Sequence, residues 1–410
     1  MIRRRSLLEQ HNLTEREQKS FQLLELLRQR GALTRTELSQ GTGFNIVTVS
    51  NYISHFIKEG LVVERGFDVS TGGRKPVLVE LNAKGGYVIG IDLGQRDVLK
   101  SETIAVITDL SGKTVHRVTG PRTMASLELI MQGAADLVRE LLRTSPVDPK
   151  KIQGIGIGLP GIIDERAGTV RNASRYSVRT SYIGVRDQLE TEFELPVLIG
   201  NDATLAGYGE MCLGLDRPVQ NLVYLYSDIG MGLILNGHIY WGSGGSAGEL
   251  GVFVSSDEDY LTWLRGPSFL LPVGVDLGMI SQMKKLVDEG HPTALQDTLQ
   301  QDGNKLDLNT IVRTAQTGDP LSKELIEHAA IQFGIRISEL INILNPEVVI
   351  LGGGIEKAGS LLLEPVWRAV KKYTFEEAGS LVDVLPAQLG DDAVALGSAC
   401  WVIRESFIQS

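Results

Sequence analysis

The sequence predicts an α/β protein in which an N-terminal winged helix-turn-helix precedes a duplicated, two-lobed α/β body. Three observations lead there. Three helical patterns and a hairpin pattern fill residues 1–82, an order of meander, helix and buried strand occurs twice afterwards, and the charge divides at the same boundary. Residues 1–82 hold 12 Lys/Arg against 9 Asp/Glu, a net of +3; with chain totals of 40 and 50, the rest holds 28 against 41, a net of −13. A small basic module on an acidic body places a polyanionic partner at the N-terminus and leaves the body to bind something small.

The chain has 410 residues, too many for one ordinary core. The expected units are residues 1–82, a first lobe over 83–200 on which a C-terminal helix (392–410) packs, and a second lobe over 201–391. Hydrophobic residues at 42% and charged residues at 22% allow a sizeable core and argue against a disordered tail. Apolar runs such as 348–351 fall far short of the ~18 residues of a membrane span, and the three N-terminal arginines precede no apolar signal region. A soluble, cytoplasmic protein without membrane partners is expected. Cys212 and Cys400 are the only cysteines, which excludes a disulfide framework and a four-cysteine zinc site. Neither metal nor cofactor is expected, and metal analysis of the purified protein should return no stoichiometric zinc; an equimolar amount would show that other ligands had been overlooked.

In the basic module, Phe21, Leu23, Leu24, Leu26 and Leu27 recur at helical spacing over 15–30, and Gly31 ends the run. Thr34 stands three residues before Glu37, a capping-box spacing, and opens a short helix that stops in Gly41-Thr42-Gly43. Asn45 caps the third helix. Ile46, Val49, Ile53, Phe56 and Ile57 form its apolar face, and Val47, Thr48, Ser50, Asn51 and His55 point elsewhere. Leu61, Val63, Val77 and Val79 read as a hairpin whose tip is Thr71-Gly72-Gly73-Arg74-Lys75-Pro76. In a winged helix the third helix enters the major groove. Asn45, Val47, Thr48, Ser50, Asn51 and His55 are therefore the candidate base-reading set, and Arg74 and Lys75 the candidate phosphate or minor-groove contacts. The competing reading is a three-helix packing module; against it, a merely solvated face would favour Glu and Lys over these uncharged side chains.

In the body, 87–92, 102–109 and 114–119 read as a meander, 126–143 as a helix, and 152–158 as a buried strand ending at Leu159-Pro160-Gly161. The order returns with 221–227, 232–235, an Asn236-Gly237 turn, 238–240, helical sequence, and 348–351 running into Gly352-Gly353-Gly354. Two such lobes leave a cleft edged by glycine turns, whose backbone N–H groups can hold anionic or polyhydroxylated ligands.

Thr71-Gly72-Gly73-Arg74-Lys75-Pro76, Gly90-Ile91-Asp92-Leu93-Gly94, Gly158-Leu159-Pro160-Gly161, Gly200-Asn201-Asp202-Ala203, Gly248-Glu249-Leu250-Gly251 and Val349-Ile350-Leu351-Gly352-Gly353-Gly354 together resemble the ROK family of bacterial sugar kinases and repressors, over nearly the whole chain. The chain is most similar to the branch with an N-terminal winged helix, like the xylose and N-acetylglucosamine repressors. The resemblance implies an actin-like, hexokinase/RNase H-like two-lobed ATPase fold with a sugar between the lobes. It further implies that Asn201, Asp202 and Glu249 meet the ligand beside Gly161, with Asp202 at the position of the kinases' general base. A turn capping the following helix is the other reading of Asn201-Asp202, compatible with the first.

Departures from the family pattern point away from catalysis. The kinases' Asp-x-Gly-Gly-Thr reads Asp92-Leu93-Gly94-Gln95-Arg96-Asp97 here, and their Gly-Thr-Gly loop reads Ser227-Asp228-Ile229-Gly230. Two added carboxylates oppose the charge neutralisation that phosphoryl transfer needs. The family's zinc-binding His and second sugar-binding Glu correspond to Val252 and Leu261. Arg171, Arg175 and Arg179 stand where relatives present an Asn, and either clamp an anionic effector or line a solvated loop. The expectation is a DNA-binding transcriptional repressor without catalytic residues, homodimeric or homotetrameric on operator DNA and controlled by a small carbohydrate or sugar-derived effector. The alternative is an ATP-dependent sugar kinase carrying a DNA-binding domain.

Overall fold

A computed structural model of the protein describes residues 13–67, 77–93, 102–121, 127–164, 169–171, 179–226, 230–249, 275–297 and 306–410. Helix α1 (Glu15–Arg30) starts at a capping box in which the Thr14 hydroxyl accepts from the Glu17 N–H while the Glu17 carboxylate accepts from the Thr14 N–H at 2.8 Å. Strand β1 (Leu33–Thr34) leads into α2 (Arg35–Thr42), capped the same way by Thr34 and Glu37, and Gly43 at φ 74° ends it in the left-handed region. Asn45 caps α3 (Ile46–Lys58) by accepting from the Thr48 N–H at 2.8 Å. Strands β2 (Val62–Phe67) and β3 (Val77–Leu81) form the wing hairpin, and β1 adds to β3 in the order β1-β3-β2. Leu61 and Val62 are buried whereas Val63 faces out, which corrects the alternation expected of Leu61 and Val63 because the strand starts at Val62.

The two halves of the body share one topology. In the first, β4 (Tyr87–Asp92), β5 (Glu102–Asp109) and β6 (Thr114–Pro121) make an antiparallel meander. After α4 (Leu127–Thr144), β7 (Ile152–Leu159) joins β4 in parallel, and β11 (Val197–Asn201) joins β7 in parallel beyond α5 (Ile183–Phe193). Between them β8 (Ile162–Asp164), β9 (Thr169–Arg171) and β10 (Arg179–Ser181) form a separate three-stranded sheet. In the second half, β12 (Leu222–Tyr226), β13 (Gly230–Leu235) and β14 (His238–Ile239) repeat the meander, β15 (Val348–Gly352) pairs in parallel with β12, and β16 (Asp383–Pro386) in parallel with β15. The sheet orders β11-β7-β4-β5-β6 and β16-β15-β12-β13-β14 are equivalent.

Helix α6 (Asp202–Gly209), buried over its whole length, lies between the second sheet and the C-terminal helix Ala393–Ile408. Glycines make these contacts close. A Cβ on Gly397 would stand 1.7 Å from the Leu205 carbonyl oxygen, and one on Gly90 1.9 Å from that of Ala395. Trp241, beyond β14, meets Trp401 of the C-terminal helix with ring centroids 5.6 Å apart. The core of the winged helix, around Leu23, Leu27, Ile53 and Phe56, is continuous with that of the first sheet, whereas the outer face of the second sheet and helices such as Pro320–Leu344 form another core. Among the described residues no helix is long and apolar enough to cross a membrane.

Candidate effector cleft and nucleic-acid interface

Parallel strands β7 and β11 end side by side, with Asn201 in register with Leu159, and this sets Gly161 beside Asn201. The Asn201 Nδ2 donates to the Gly161 carbonyl at 3.1 Å, and its Oδ1 accepts from the Thr204 N–H at 3.0 Å as the cap of α6. The capping reading of Asn201 therefore holds. Gly161 has φ 106°, a conformation that a side chain would strain. Asp202 is buried at the first turn of α6, where its Oδ1 accepts from the Ala203 N–H at 2.8 Å and a carboxylate suits the helix dipole.

Glu249 reaches this place through backbone geometry. It bridges to Gly230, and the Met231 N–H donates to the Gly248 carbonyl at 3.0 Å. A Cβ on Gly230 would stand 2.7 Å from that of Ala203, so the exposed Glu249 lies across Gly230 from the first turn of α6. The fold thus places Gly161, Asn201 and Asp202 at the head of α6, with Glu249 nearby. Gly245, in the loop before Glu249, approaches the Ile163 carbonyl of β8, which ties the three-stranded sheet to the same place. On that sheet Arg171 and Arg179 are direct cross-strand partners, with Ile162 on the other side of Arg171. Arg175, Val252, Leu261, Gln95 to Asp97 and Ser227 to Ile229 lie outside the described residues. Among the described residues no cluster of His, Cys, Asp or Glu could hold a metal ion.

On α3, Val49, Ile53 and Phe56 are buried, while Val47 at 65% exposure, Asn51 and Ser54 share an exposed stripe at helical spacing. Asn45 is exposed, whereas Thr48, Ser50 and His55 are half-buried, so the free face is narrower than the sequence suggested. Ile46, expected on the apolar face, is 45% exposed. It occupies the first helical position, above the end of the core that Val49 and Ile53 fill. Ser54 escaped the sequence reading, although its seven-residue spacing from Val47 was visible. Four of the seven described basic residues of the module form ion pairs: Lys19 with Glu15, Arg28 with Glu25, Arg35 with Glu64 and Arg65 with Glu80. Arg74 and Lys75 lie outside the described residues.

The two cysteines, distant in sequence, meet in space. The Cys400 thiol hydrogen-bonds Cys212, which holds the Cys212 thiol below its usual range and pushes Cys400 above it. The sequence offers no signal for this contact, which depends on how the segment Glu210–Gly214 after α6 meets the C-terminal helix.

A family model described as ROK family matches residues 88–260 and 291–405. The chain is 31% identical over 378 residues to a xylose repressor of Caldicellulosiruptor bescii, covering 91% of this chain and 92% of the relative. Two solved structures show the same fold at low identity. A ROK family transcriptional regulator, a homologue of the Escherichia coli MLC protein, superposes with a TM-score of 0.76 at 17% identity over 96% of this chain and 98% of that one. A ROK family glucokinase from Streptomyces griseus, in complex with glucose and AMPPNP, gives 0.61 at 21% identity over 77% of this chain and 98% of its own.

Proposed function

Because the chain belongs to the ROK family, we propose that it is a sequence-specific DNA-binding transcriptional repressor whose actin-like body holds a small carbohydrate or a sugar-derived acid between its lobes. One observation carries the reading: a winged helix with an exposed Val47-Asn51-Ser54 stripe shares a core with a two-lobed body in which Asn201 binds Gly161 at the head of α6 and Glu249 bridges to Gly230 nearby. Carboxylates and amides suit pairs of hydroxyls, and the effector acts by favouring one arrangement of the lobes. A two-fold operator calls for a homodimer or homotetramer, and such a regulator works in the cytoplasm.

The chain is not an enzyme under this reading, because Asp97 and Asp228 add negative charge to both loops that hold phosphate in the kinases. Incubation with ATP and a panel of hexoses and pentoses should yield no sugar phosphate. Turnover that disappears in Asp202→Asn would instead establish a kinase.

The ligand preference follows from the arginines. Arg171 and Arg179 hold directly opposed register positions, and guanidinium groups suit a carboxylate. D-Xylonate and D-gluconate should therefore raise the melting temperature more than D-xylose and D-glucose, the gain reaching about 2.7 kcal/mol at ~100 times Kd. Micromolar binding of D-xylose that survives replacement of Arg171, Arg175 and Arg179 by alanine would assign a neutral pentose and leave the arginines to the surface.

A further inference from the structure

Helix α6 joins two places that the proposed function needs to connect. Its head is built from cleft residues: Asn201 caps it and holds the Gly161 carbonyl. Its flanks touch neighbouring backbone with little intervening side chain. A Cβ on Gly207 would stand 2.7 Å from that of Tyr224, one on Gly232 2.6 Å from the Ala203 carbonyl oxygen, and one on Gly209 2.8 Å from the Ala393 carbonyl oxygen. Contacts of this kind leave little slack, so a shift at the head passes along the rod. At its tail the helix widens into a π turn, Glu210–Gly214. The buried Glu210 carboxylate accepts there from the Gln388 N–H at 3.0 Å and the Leu389 N–H at 2.8 Å, and the Glu210 carbonyl accepts from the Leu215 N–H at 3.1 Å. A π turn inserts one extra residue into a helix, a feature frequent at functional sites.

Among the described residues, Arg28 hydrogen-bonds from the winged helix to this turn. Arg28 of α1 is 7% exposed and uses its guanidinium in two directions. Its Nε and Nη2 hold the Glu25 carboxylate at 2.8 and 2.6 Å, while Nη1 donates at 3.4 Å to the carbonyls of Cys212, inside the π turn, and of Ser111, in the turn between β5 and β6. Helix α1 also packs on the C-terminal helix, where Arg404 lies over the Phe21 ring at 5.6 Å, and the Ser20 hydroxyl donates to the carbonyl of Ser410 just beyond it at 3.1 Å.

We propose that Arg28 is the positioning residue through which the effector cleft sets the orientation of the winged helix: α6 carries a change at Asn201 to the π turn, and Arg28, fixed to α1 by Glu25, follows the Cys212 carbonyl. The inference rests on the reading of the chain as a DNA-binding regulator. It assigns Arg28 to the interior coupling, away from the DNA.

The test is a double-mutant cycle in the full-length chain. Asn201→Asp keeps the cap of α6, because a carboxylate still accepts from Thr204, but it cannot donate to the Gly161 carbonyl. Arg28→Gln cuts the link at the other end. The probe is the duplex that the unaltered protein selects from a random library. Asn201→Asp should change affinity for it by about five-fold or more and, in the Arg28→Gln background, by less than about two-fold. Arg28→Lys should behave like Arg28→Gln, because one ammonium cannot hold Glu25 and reach the two carbonyls together. A DNA affinity indifferent to Asn201→Asp, or an equal effect in both backgrounds, would overturn the route and leave the DNA reading intact. Selection of no duplex would overturn that reading instead, and amide exchange would still judge the route. Asn201→Asp should alter exchange of the amides in 26–31 of α1 as well as 210–215, and a change confined to the cleft would defeat the proposal.

Discussion

Gly397→Ala is expected to cost roughly 4 kcal/mol or more, a large share of the ~5 to 15 kcal/mol that holds a typical domain folded. The added methyl would stand 1.7 Å from the Leu205 carbonyl oxygen and 2.5 Å from its carbon, both in the backbone of α6. Overpacked cores usually lose about 1 to 3 kcal/mol because a side chain yields by changing rotamer. Here two helix backbones would have to separate, and α6 is already pressed against Tyr224 on its other side. Gly133→Ala is the matching control: it sits inside α4 with nothing within 4 Å of its would-be Cβ, so relief of glycine's helix penalty should stabilise by about 1 kcal/mol. Thermal unfolding of both variants checks the pair. A Gly397→Ala protein that melts with the parent would mean that the crossing is looser than these distances allow.

Local signals account for what the sequence disclosed. The Thr34-to-Glu37 spacing, Asn45 and the apolar period from Phe21 to Leu27 are decided within one or two helical turns, and the structure places α1 over the predicted residues. The repeated meander was legible because β4 and β12 are central strands, buried on both faces, and read as continuous apolar runs. Strands β8, β9 and β10 have three residues each, too short to show a period, and β16 emerges only through its pairing with β15. Within the candidate site, Asn201, Asp202 and Glu249 were picked out through motifs. The direct opposition of Arg171 and Arg179 depends on register, and the meeting of Cys212 with Cys400 on a helix crossing between segments far apart in the chain. Ile46 was misplaced for a related reason: a helical wheel assigns a face to every position, but the core beneath α3 extends only from Val49 to Phe56.

Asn51→Ala is expected to relax base preference at one operator position by about 1 to 3 kcal/mol, roughly five- to 150-fold, while leaving affinity for random duplex nearly unchanged. Asn51 stands on the exposed stripe of α3, one turn beyond Val47, where its amide can pair with two atoms of one base edge. Val47 offers only apolar contact, so Val47→Ser should weaken discrimination at a thymine methyl and nowhere else. Replacing Arg74 or Lys75 by alanine should act differently. Those side chains can meet phosphate, and removing either charge should lower affinity for every sequence alike and reduce the slope of log K against log salt by about one. The contrast decides the assignment, since Arg28, Arg35 and Arg65 are engaged in ion pairs with Glu25, Glu64 and Glu80. Titration of the selected duplex and a scrambled one over a range of salt separates the two classes. If Asn51→Ala lowers affinity for both duplexes equally and leaves the ratio between them unchanged, α3 is not the reader, and base recognition belongs to the wing.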